Sequence, residues 1–391
     1  TINSITMNSQ YAYLATNFGG IKVDVSKAEI SESYILGLQV SKIGVDNTNI
    51  YELTKQNKNY MASLAANLID KSNWTATTTY PKDIFATDNS AYEENIELVK
   101  TLHPGGPRYN YFGFLKMHDN KLYTCNGDGW DSKKPASIQI YDVDNDAWTT
   151  FSNEGIGDKL GIKYQDVMSV DVDPNNSRHV VAGTQAGLFD FYDGELTKHW
   201  NDVNSPIYYH FNVPVGSKSY EVVSSVLYDK EGNLWVANTG SSKSTLLKLS
   251  SDNKWSIPDN TINAEKADFL KIMGFDSKGY LWLHNDAWGT AAAYRYDTKT
   301  ETMTEYSNFT NEDGISYSNI EGSRALAEDK EGNIWVGISQ GLFVLTQEYQ
   351  NDPSKGFYQI KVPRNDGTNY ADYLLSGVDV KAIAIDNANR K

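Results

Sequence analysis

Cysteine, histidine and long apolar runs are scarce in this chain, and each scarcity excludes a class of protein. Cys125 is the single cysteine among 391 residues, so an internal disulfide framework is excluded and cysteine usage identifies no compartment. No apolar run approaches the ~20 residues of a membrane-spanning helix. Acidic residues outnumber basic residues, and the net charge is −15. This charge argues against nucleic acid or an anionic membrane as a partner, because phosphate binding needs a basic surface.

Helical periodicity is also nearly absent. Residues 91–102 form the one segment that predicts a helix of any length, whereas β-favouring residues, including 26 Tyr and 9 Trp, are abundant. The six histidines show no metal-ligand spacing. We therefore expect an all-β protein without a metal, a cofactor or catalytic residues.

What the chain does contain is a repeated motif. Asp-Lys-Glu-Gly-Asn-hydrophobic-Trp-Val occurs at 229–236 and again at 329–336, and a third copy at 276–283 reads Asp-Ser-Lys-Gly-Tyr-Leu-Trp-Leu. Alternating apolar runs precede and follow each copy, so the motif is predicted at the tip of a hairpin. A recurrence of about 50 residues is typical of stacked supersecondary units.

The residue types of the motif suit a structural role. The Asp carboxylate can accept hydrogen bonds from the turn backbone, the Gly supplies a left-handed conformation, and the Trp on the returning strand can fill the space between sheets. The residues concerned are Asp229, Gly232, Trp235, Asp276, Gly279, Trp282, Asp329, Gly332 and Trp335.

Weaker copies extend the array along the chain. Seven units have centres near residues 9, 47, 120, 175, 231, 278 and 331, and an eighth begins at 378–386. The predicted fold is a β-propeller of four-stranded blades, seven-bladed, with eight blades or an incomplete ring as alternatives. Residues 1–377 would form the propeller with an insertion around 80–112, and 378–391 the first strand of a truncated repeat or a ring-closing strand. The repeat pattern is already present at Thr1 and ends within a repeat, so we expect this chain to be a piece of a longer protein.

The motif, together with Gly341-Leu342-Phe343, resembles the two-component regulator propeller repeat of Bacteroidetes sensors. A narrower resemblance, to PorZ-type propeller proteins, extends over nearly the whole chain. Its segments include Ala-Tyr-Leu-Ala-Thr-Asn-Phe-Gly-Gly at 12–20 and His-Pro-Gly-Gly-Pro at 103–107. The others lie at 67–70 with Trp74, 172–174 with His179, 204–206, 380–386 and 389–391.

This resemblance implies a function as well as a fold. PorZ-type proteins are surface-associated components of the type IX secretion system, with two propellers and a C-terminal domain. The expectation is a non-catalytic binding or scaffold module in the periplasm or on the surface of a Gram-negative bacterium. Its partners would be glycans or other envelope proteins, and membrane contact would occur only through regions missing from this chain.

Propeller topology predicts where ligands would bind. With the strands of a blade lettered a to d from the axis outward, the b–c loops and d–a connections emerge on one face, here called the loop face. It collects the long segments 103–111, 126–135, 201–219, 285–291 and 307–318, and long loops on a rigid scaffold often carry function. Aromatic rings beside carboxylates suit a sugar ring. The candidate ligand-binding residues are Tyr109, Tyr111, Asp128, Trp130, Asp131, Tyr208, Tyr209, His210, Asp286 and Trp288.

Several alternatives stay open at this point. The aromatic residues could instead pack back onto the blades. The chain could be the periplasmic region of a hybrid two-component regulator that recognises an oligosaccharide, or a propeller glycan lyase or hydrolase, since the fold alone excludes no activity. Kinase motifs in the full-length gene would favour the first of these two, and turnover of a polysaccharide the second.

Overall fold

The computed structural model describes residues 2–56, 58–81, 83–85, 106–127, 129, 132–258, 262, 264–287 and 289–390. Strands dominate these residues, and the short helices are Lys71–Asn73, Ile156–Leu160, Glu265–Ala267 and Tyr349–Asn351. The helix predicted at 91–102 lies outside the described residues. None of the described helices has the length and apolar character needed to cross a bilayer.

The chain divides into two compact units, Thr1–Pro104 and Gly105–Lys391, here called unit 1 and unit 2. In unit 1, the first sheet contains β1 (Ile2–Asn8), β2 (Tyr11–Thr16), β3 (Gly19–Asp24) and β4 (Glu29–Tyr34). The second contains β5 (Val40–Val45), β6 (Asn49–Thr54), β7 (Asn59–Ser63) and β8 (Thr75–Ala76).

Unit 2 contains the third to seventh sheets. The third has β9 (Phe114–His118), β10 (Lys121–Cys125), β11 (Ile138–Asp142) and β12 (Ala147–Thr150), and the fourth has β13 (Val167–Asp173), β14 (Asn176–Thr184), β15 (Gly187–Tyr192) and β16 (Glu195–Trp200). The fifth has β17 (Val223–Tyr228), β18 (Leu234–Asn238), β19 (Leu246–Leu249) and β20 (Trp255–Ser256), and the sixth has β21 (Leu270–Phe275), β22 (Leu281–Asn285), β23 (Ala292–Asp297) and β24 (Thr302–Tyr306). The seventh has β26 (Ser323–Glu328), β27 (Ile334–Ile338), β28 (Gly341–Leu345) and β29 (Phe357–Gln359), with β25 (Phe309–Asn311) parallel to β29 at its outer edge.

Each of the first six sheets is an antiparallel meander in chain order, as a propeller blade requires. Within each unit, the first strands of consecutive sheets contact one another, as β13 contacts β9 and β17. These first strands are therefore the inner strands of their blades. All seven predicted unit centres fall in the turn between the first two strands of a sheet, so the β-propeller architecture is confirmed. The added strand β25 departs from the predicted four-stranded pattern.

The motif hairpins share one geometry. Asp229 Oδ1 accepts hydrogen bonds from the backbone N–H groups of Glu231 (3.1 Å) and Asn233 (2.8 Å), and Gly232 has a φ of +80°. The turns at 276–280 and 329–333 repeat this pattern. The second carboxylate oxygen has a partner that the sequence did not reveal, because it accepts a hydrogen bond from the Trp235 indole at 3.1 Å.

Two motif tryptophans, Trp235 and Trp282, fill the space between neighbouring sheets, and Trp335 packs against the segment that follows the seventh sheet. Trp235 of the fifth sheet packs against Phe275 and Tyr296 of the sixth. Trp282 stacks on Tyr306 of its own sheet, with 5.6 Å between ring centroids, and shares a core cluster with residues of the seventh sheet. All three motif tryptophans are buried. The indole N–H would be costly to bury without an acceptor, and the motif Asp supplies one in each copy. One Asp therefore shapes the turn and satisfies the buried Trp.

The segment at 378–390 has no regular strand, although the sequence predicts one at 378–386. The Val380 N–H nevertheless donates a hydrogen bond to the Ile338 carbonyl. Val380 also packs closely against Gly337, in the same way that Val223, the first residue of the fifth sheet, packs against Gly183. Asp386 forms the same turn as Asp229, with the N–H groups of residues 388 and 390 bound to its carboxylate. The segment thus reproduces the turn of the repeat, although residues 378–386 form no regular strand. A separate two-stranded hairpin precedes it, β30 (Lys361–Pro363) and β31 (Ala371–Tyr373).

Candidate functional site

The first group of candidate residues lies just before β9. Tyr109 and Tyr111 are half-buried, and their rings stack with a centroid separation of 5.4 Å and an interplanar angle of 4°. The buried side chain of Gln139 accepts a hydrogen bond from the Tyr109 N–H (2.7 Å) and donates one to its carbonyl (2.9 Å). Lys134 lies over the Tyr111 ring. The fixed backbone and the stacked rings form a small, rigid aromatic surface.

The second group, Tyr208 to His210, lies between β16 and β17. The side chain of Asn238 holds both backbone polar groups of Tyr208, at 2.7 and 3.0 Å, and the Lys243 ammonium lies 3.6 Å from the centre of its half-buried ring. Tyr209 and His210 are buried, and His210 Nε2 lies 2.7 Å from Asp268 Oδ1. Tyr208 is therefore the ring of this run that is accessible to a ligand, whereas Tyr209 and His210 anchor the loop.

Asp286, which directly follows β22, forms ion pairs with two cationic side chains. Its carboxylate lies 3.1 Å from Lys271 Nζ and 2.6 Å from Arg324 Nη1. Arg324 also pairs with Glu321 and with Asp379 of the C-terminal segment, each at 3.2 Å. This network joins the sixth sheet, the seventh sheet and the C-terminal segment. The position predicted for ligand contact is thus part of an ion-pair network.

The same network stands beside an axial cavity of about 350 Å³. Residues from all five inner strands of unit 2 line it, near the ends where the d–a connections enter: Phe114, Ser169, Ser225, Lys271 and Arg324. Lys381 of the C-terminal segment also lines it. The cavity therefore opens toward the predicted loop face, but it is built from strands that the sequence analysis treated as scaffold.

His284 on β22 also lines the cavity, and it is neutral at physiological pH. Burial, followed by the nearby Lys271 ammonium, lowers the pKa of His284 to about 4. Its Nδ1 lies 2.6 Å from the Ser323 carbonyl, to which it donates. The positive charge in the cavity therefore comes from Lys271, Arg324 and Lys381.

Four candidates, Asp128, Trp130, Asp131 and Trp288, lie outside the described residues. The loop that follows Asp131 is described, and Asp166 fixes it by accepting hydrogen bonds from Ser132 Oγ (2.8 Å) and the N–H groups of 133 and 134. Across the described ranges, no cluster of three or more His, Cys, Asp or Glu side chains could hold a metal.

The buried amides that clamp these loops were missed from the sequence. Gln139, Asn238 and Asn285 each face a backbone group of a preceding connection, Tyr109, Tyr208 and Phe269 respectively. A single Asn or Gln in a strand gives little indication of such a role. These amide side chains could have been recognised because they recur at or near the loop-face ends of strands.

Comparison with known proteins gives one family match and several similar solved structures. Residues 1–75 match the family model of the PorZ N-terminal β-propeller domain of the type IX secretion system. No curated protein matches the sequence. Among solved structures, PorZ of Porphyromonas gingivalis, described as an essential bacterial surface component of the type IX secretion system, matches with a TM-score of 0.62 and 18% identity. The match covers 100% of this chain and 65% of the PorZ chain.

Two extracellular domains from B. thetaiotaomicron show weaker likeness. One is assigned to a hybrid two-component system (TM-score 0.36, 14% identity, 96% of this chain and 61% of that chain), and the other to a one-component system (0.27, 14%, 99% and 56%). Neither superposition is close enough to add to the fold assignment. The family match over residues 1–75 and the similarity in fold to PorZ over the full length confirm the resemblance read from the sequence, and the β-propeller chain spans 65% of the length of that PorZ chain.

Proposed function

We propose that this chain is a non-catalytic binding module of the cell envelope, which acts in type IX secretion or surface attachment. The match of residues 1–75 to the PorZ N-terminal propeller family, combined with a PorZ fold over the whole chain, carries this proposal. PorZ itself is described as a surface component of that secretion system. The same comparison supports a location in the periplasm or on the cell surface, associated with the outer membrane.

The contact with a glycan or an envelope protein is assigned to the loop face of unit 2. Tyr109 and Tyr111 offer a stacked pair of rings, and Tyr208 offers a ring with the Lys243 ammonium beside it. Aromatic faces with adjacent donors suit the apolar C–H faces and hydroxyl groups of a sugar. The Gln139 and Asn238 side chains fix the backbone of Tyr109 and Tyr208 before binding, which lowers the entropic cost of association.

The binding role predicts a selective loss in a loop-face variant. We expect the double variant Tyr109→Ala, Tyr208→Ala to lose at least about tenfold in affinity for glycans extracted from an outer membrane, because each substitution removes a stacking surface. The measurement is titration of the purified chain against fractionated surface glycans. Both rings are half-buried, so the melting temperature is measured in parallel.

Tyr192→Ala is the matched control, since Tyr192 is an exposed tyrosine on the outer part of the fourth sheet. Unchanged affinity in the loop-face variant, at an unchanged melting temperature, would contradict the assignment to the loop face. Deletion of the gene in its own bacterium tests the wider role, because normal secretion of type IX cargo by the deletion strain would contradict it.

A further inference from the structure

The axial cavity of unit 2 combines an apolar wall with a charged mouth. Phe114, Met168, Phe269 and Met273 contribute apolar surface, and Ser169 and Ser225 contribute hydroxyl groups. No Asp or Glu is found among the described residues that line it, although the chain carries a net charge of −15. The ionised side chains that line the cavity are therefore all basic.

Three cations from three different segments reach this cavity. Lys271 belongs to β21, Arg324 to β26 and Lys381 to the C-terminal segment. Lys271 and Arg324 share one carboxylate, Asp286, whose side chain is 12% exposed, so two positive charges face one negative charge. Glu321 and Asp379 also contact Arg324, but both are far more exposed to solvent than Asp286. Lys381 Nζ has Asp379 at 3.7 Å, beyond hydrogen-bond distance.

A second observation points to a missing ligand. Ser169 is 1% exposed and lines the cavity, yet its hydroxyl has no hydrogen-bond partner within the part of the chain that the structure describes. Buried hydroxyl groups in proteins are normally paired, because an unpaired one loses its hydration without compensation. A ligand that enters the cavity can supply the acceptor.

We propose that the axial cavity binds a carboxylate attached to an apolar group. The carboxylate would lie between Lys271, Arg324 and Lys381, whose remaining N–H groups are donors of charge-assisted hydrogen bonds. The apolar group would pack against Phe114, Phe269 and the two methionines. Asp286, Glu321 and Asp379 already face these three cations, which favours a monoanion over a doubly charged phosphate.

Size limits the ligand to a small group or the end of a chain. A volume of about 350 Å³ lies at the low end of ligand pockets, which suits one amino-acid-sized unit. The carboxylate could belong to a free small molecule or to the C terminus of a peptide. This site does not depend on the loop-face contacts proposed above.

The test uses a pair of probes that differ only in charge, N-acetylphenylalanine and its C-terminal amide. We expect the acid to bind with a Kd on the order of 1 mM and the amide at least about tenfold more weakly. The measurement is titration by NMR. A short peptide that ends in phenylalanine with a free carboxylate distinguishes the sources, since equal or tighter binding assigns a peptide C terminus and its failure assigns a small molecule.

Lys381→Gln is the informative variant, because Lys381 is exposed and its loss leaves the Asp286 network intact. We expect it to weaken binding of the acid about five- to tenfold, and Lys254→Gln, on a c–d turn, to leave binding unchanged. The double variant of Tyr109 and Tyr208 should also bind the acid normally, which separates this site from the loop-face contacts. Equal binding of acid and amide, or no binding of the acid at 10 times the expected Kd (about 10 mM), would overturn the proposal.

Discussion

We expect the Glu52→Gln variant to exceed the parent chain in the stability of unit 1 at pH 9 by up to about 4–5 kcal/mol, and to match it near pH 5. Glu52 lies on β6 and is fully buried against Gly20 and Ile43, and neither carboxylate oxygen accepts a hydrogen bond of normal geometry from a described residue. Burial raises the pKa of Glu52 from its ordinary 4.5 to about 8, and the Gly20 backbone offsets only part of this effect.

Proton linkage determines whether the stability contributed by Glu52 rises or falls with pH. The folded chain keeps the Glu52 proton up to about pH 8, whereas the unfolded chain loses it near pH 4.5. Stability from this group is therefore complete below pH 4.5 and is lost as the pH rises through 8. Glutamine cannot ionise, so the variant should show no such decline.

Hydrogen exchange of β3 and β6 between pH 5 and pH 9, corrected for the intrinsic exchange rate, measures this difference. Glu29→Gln is the control, because Glu29 is an exposed carboxylate on the first sheet. A parent chain whose β3 and β6 are equally protected at both pH values would show that Glu52 is ionised or solvated in the fold.

The second large effect concerns the motif tryptophans. We expect Trp282→Ala to destabilise unit 2 by about 3–5 kcal/mol, because the buried indole stacks on Tyr306 and its removal leaves a cavity between the sixth and seventh sheets. The substitution also removes the indole N–H that donates a hydrogen bond to Asp276 Oδ2 at 2.8 Å. Urea unfolding followed by circular dichroism measures the change.

Trp148→Ala provides the comparison, because Trp148 lies on β12 outside any motif copy and is half-buried. A loss below about 1.5 kcal/mol is expected there. If Trp282→Ala costs no more than Trp148→Ala, the motif tryptophan is not the support between sheets that the packing indicates.

The fold was predictable because the motif repeats the same local physics. Asp and Gly at fixed positions specify a tight hairpin, and alternating apolar residues specify strands, so turn centres such as 231 and 278 could be located without knowledge of distant contacts. The number of blades in one ring could not be predicted in this way, because it depends on the angle between sheets. The strand β25 was missed since its pairing with β29 joins segments almost 50 residues apart along the chain.

The site was predictable only in part. Sequence reasoning located the loops that carry Tyr109 and Tyr208, because loop length and aromatic content are local properties. It did not foresee the pairing of Asp286 with Lys271 and Arg324, which joins residues 15 and 38 positions away. The axial cavity was missed for the same reason, since its lining comes from five separate inner strands.

The central claim is that the repeated motif is scaffold and that recognition occurs on the opposite, loop face. The most direct measurement is co-sedimentation of three proteins with outer-membrane vesicles: the parent chain, a motif-tip variant and the loop-face variant Tyr109→Ala, Tyr208→Ala. The motif-tip variant replaces the exposed residues Lys230, Glu231 and Lys278 by Ala. We predict that the motif-tip variant sediments like the parent and that the loop-face variant stays in solution. Loss of binding in the motif-tip variant, with binding retained in the loop-face variant, would contradict the account.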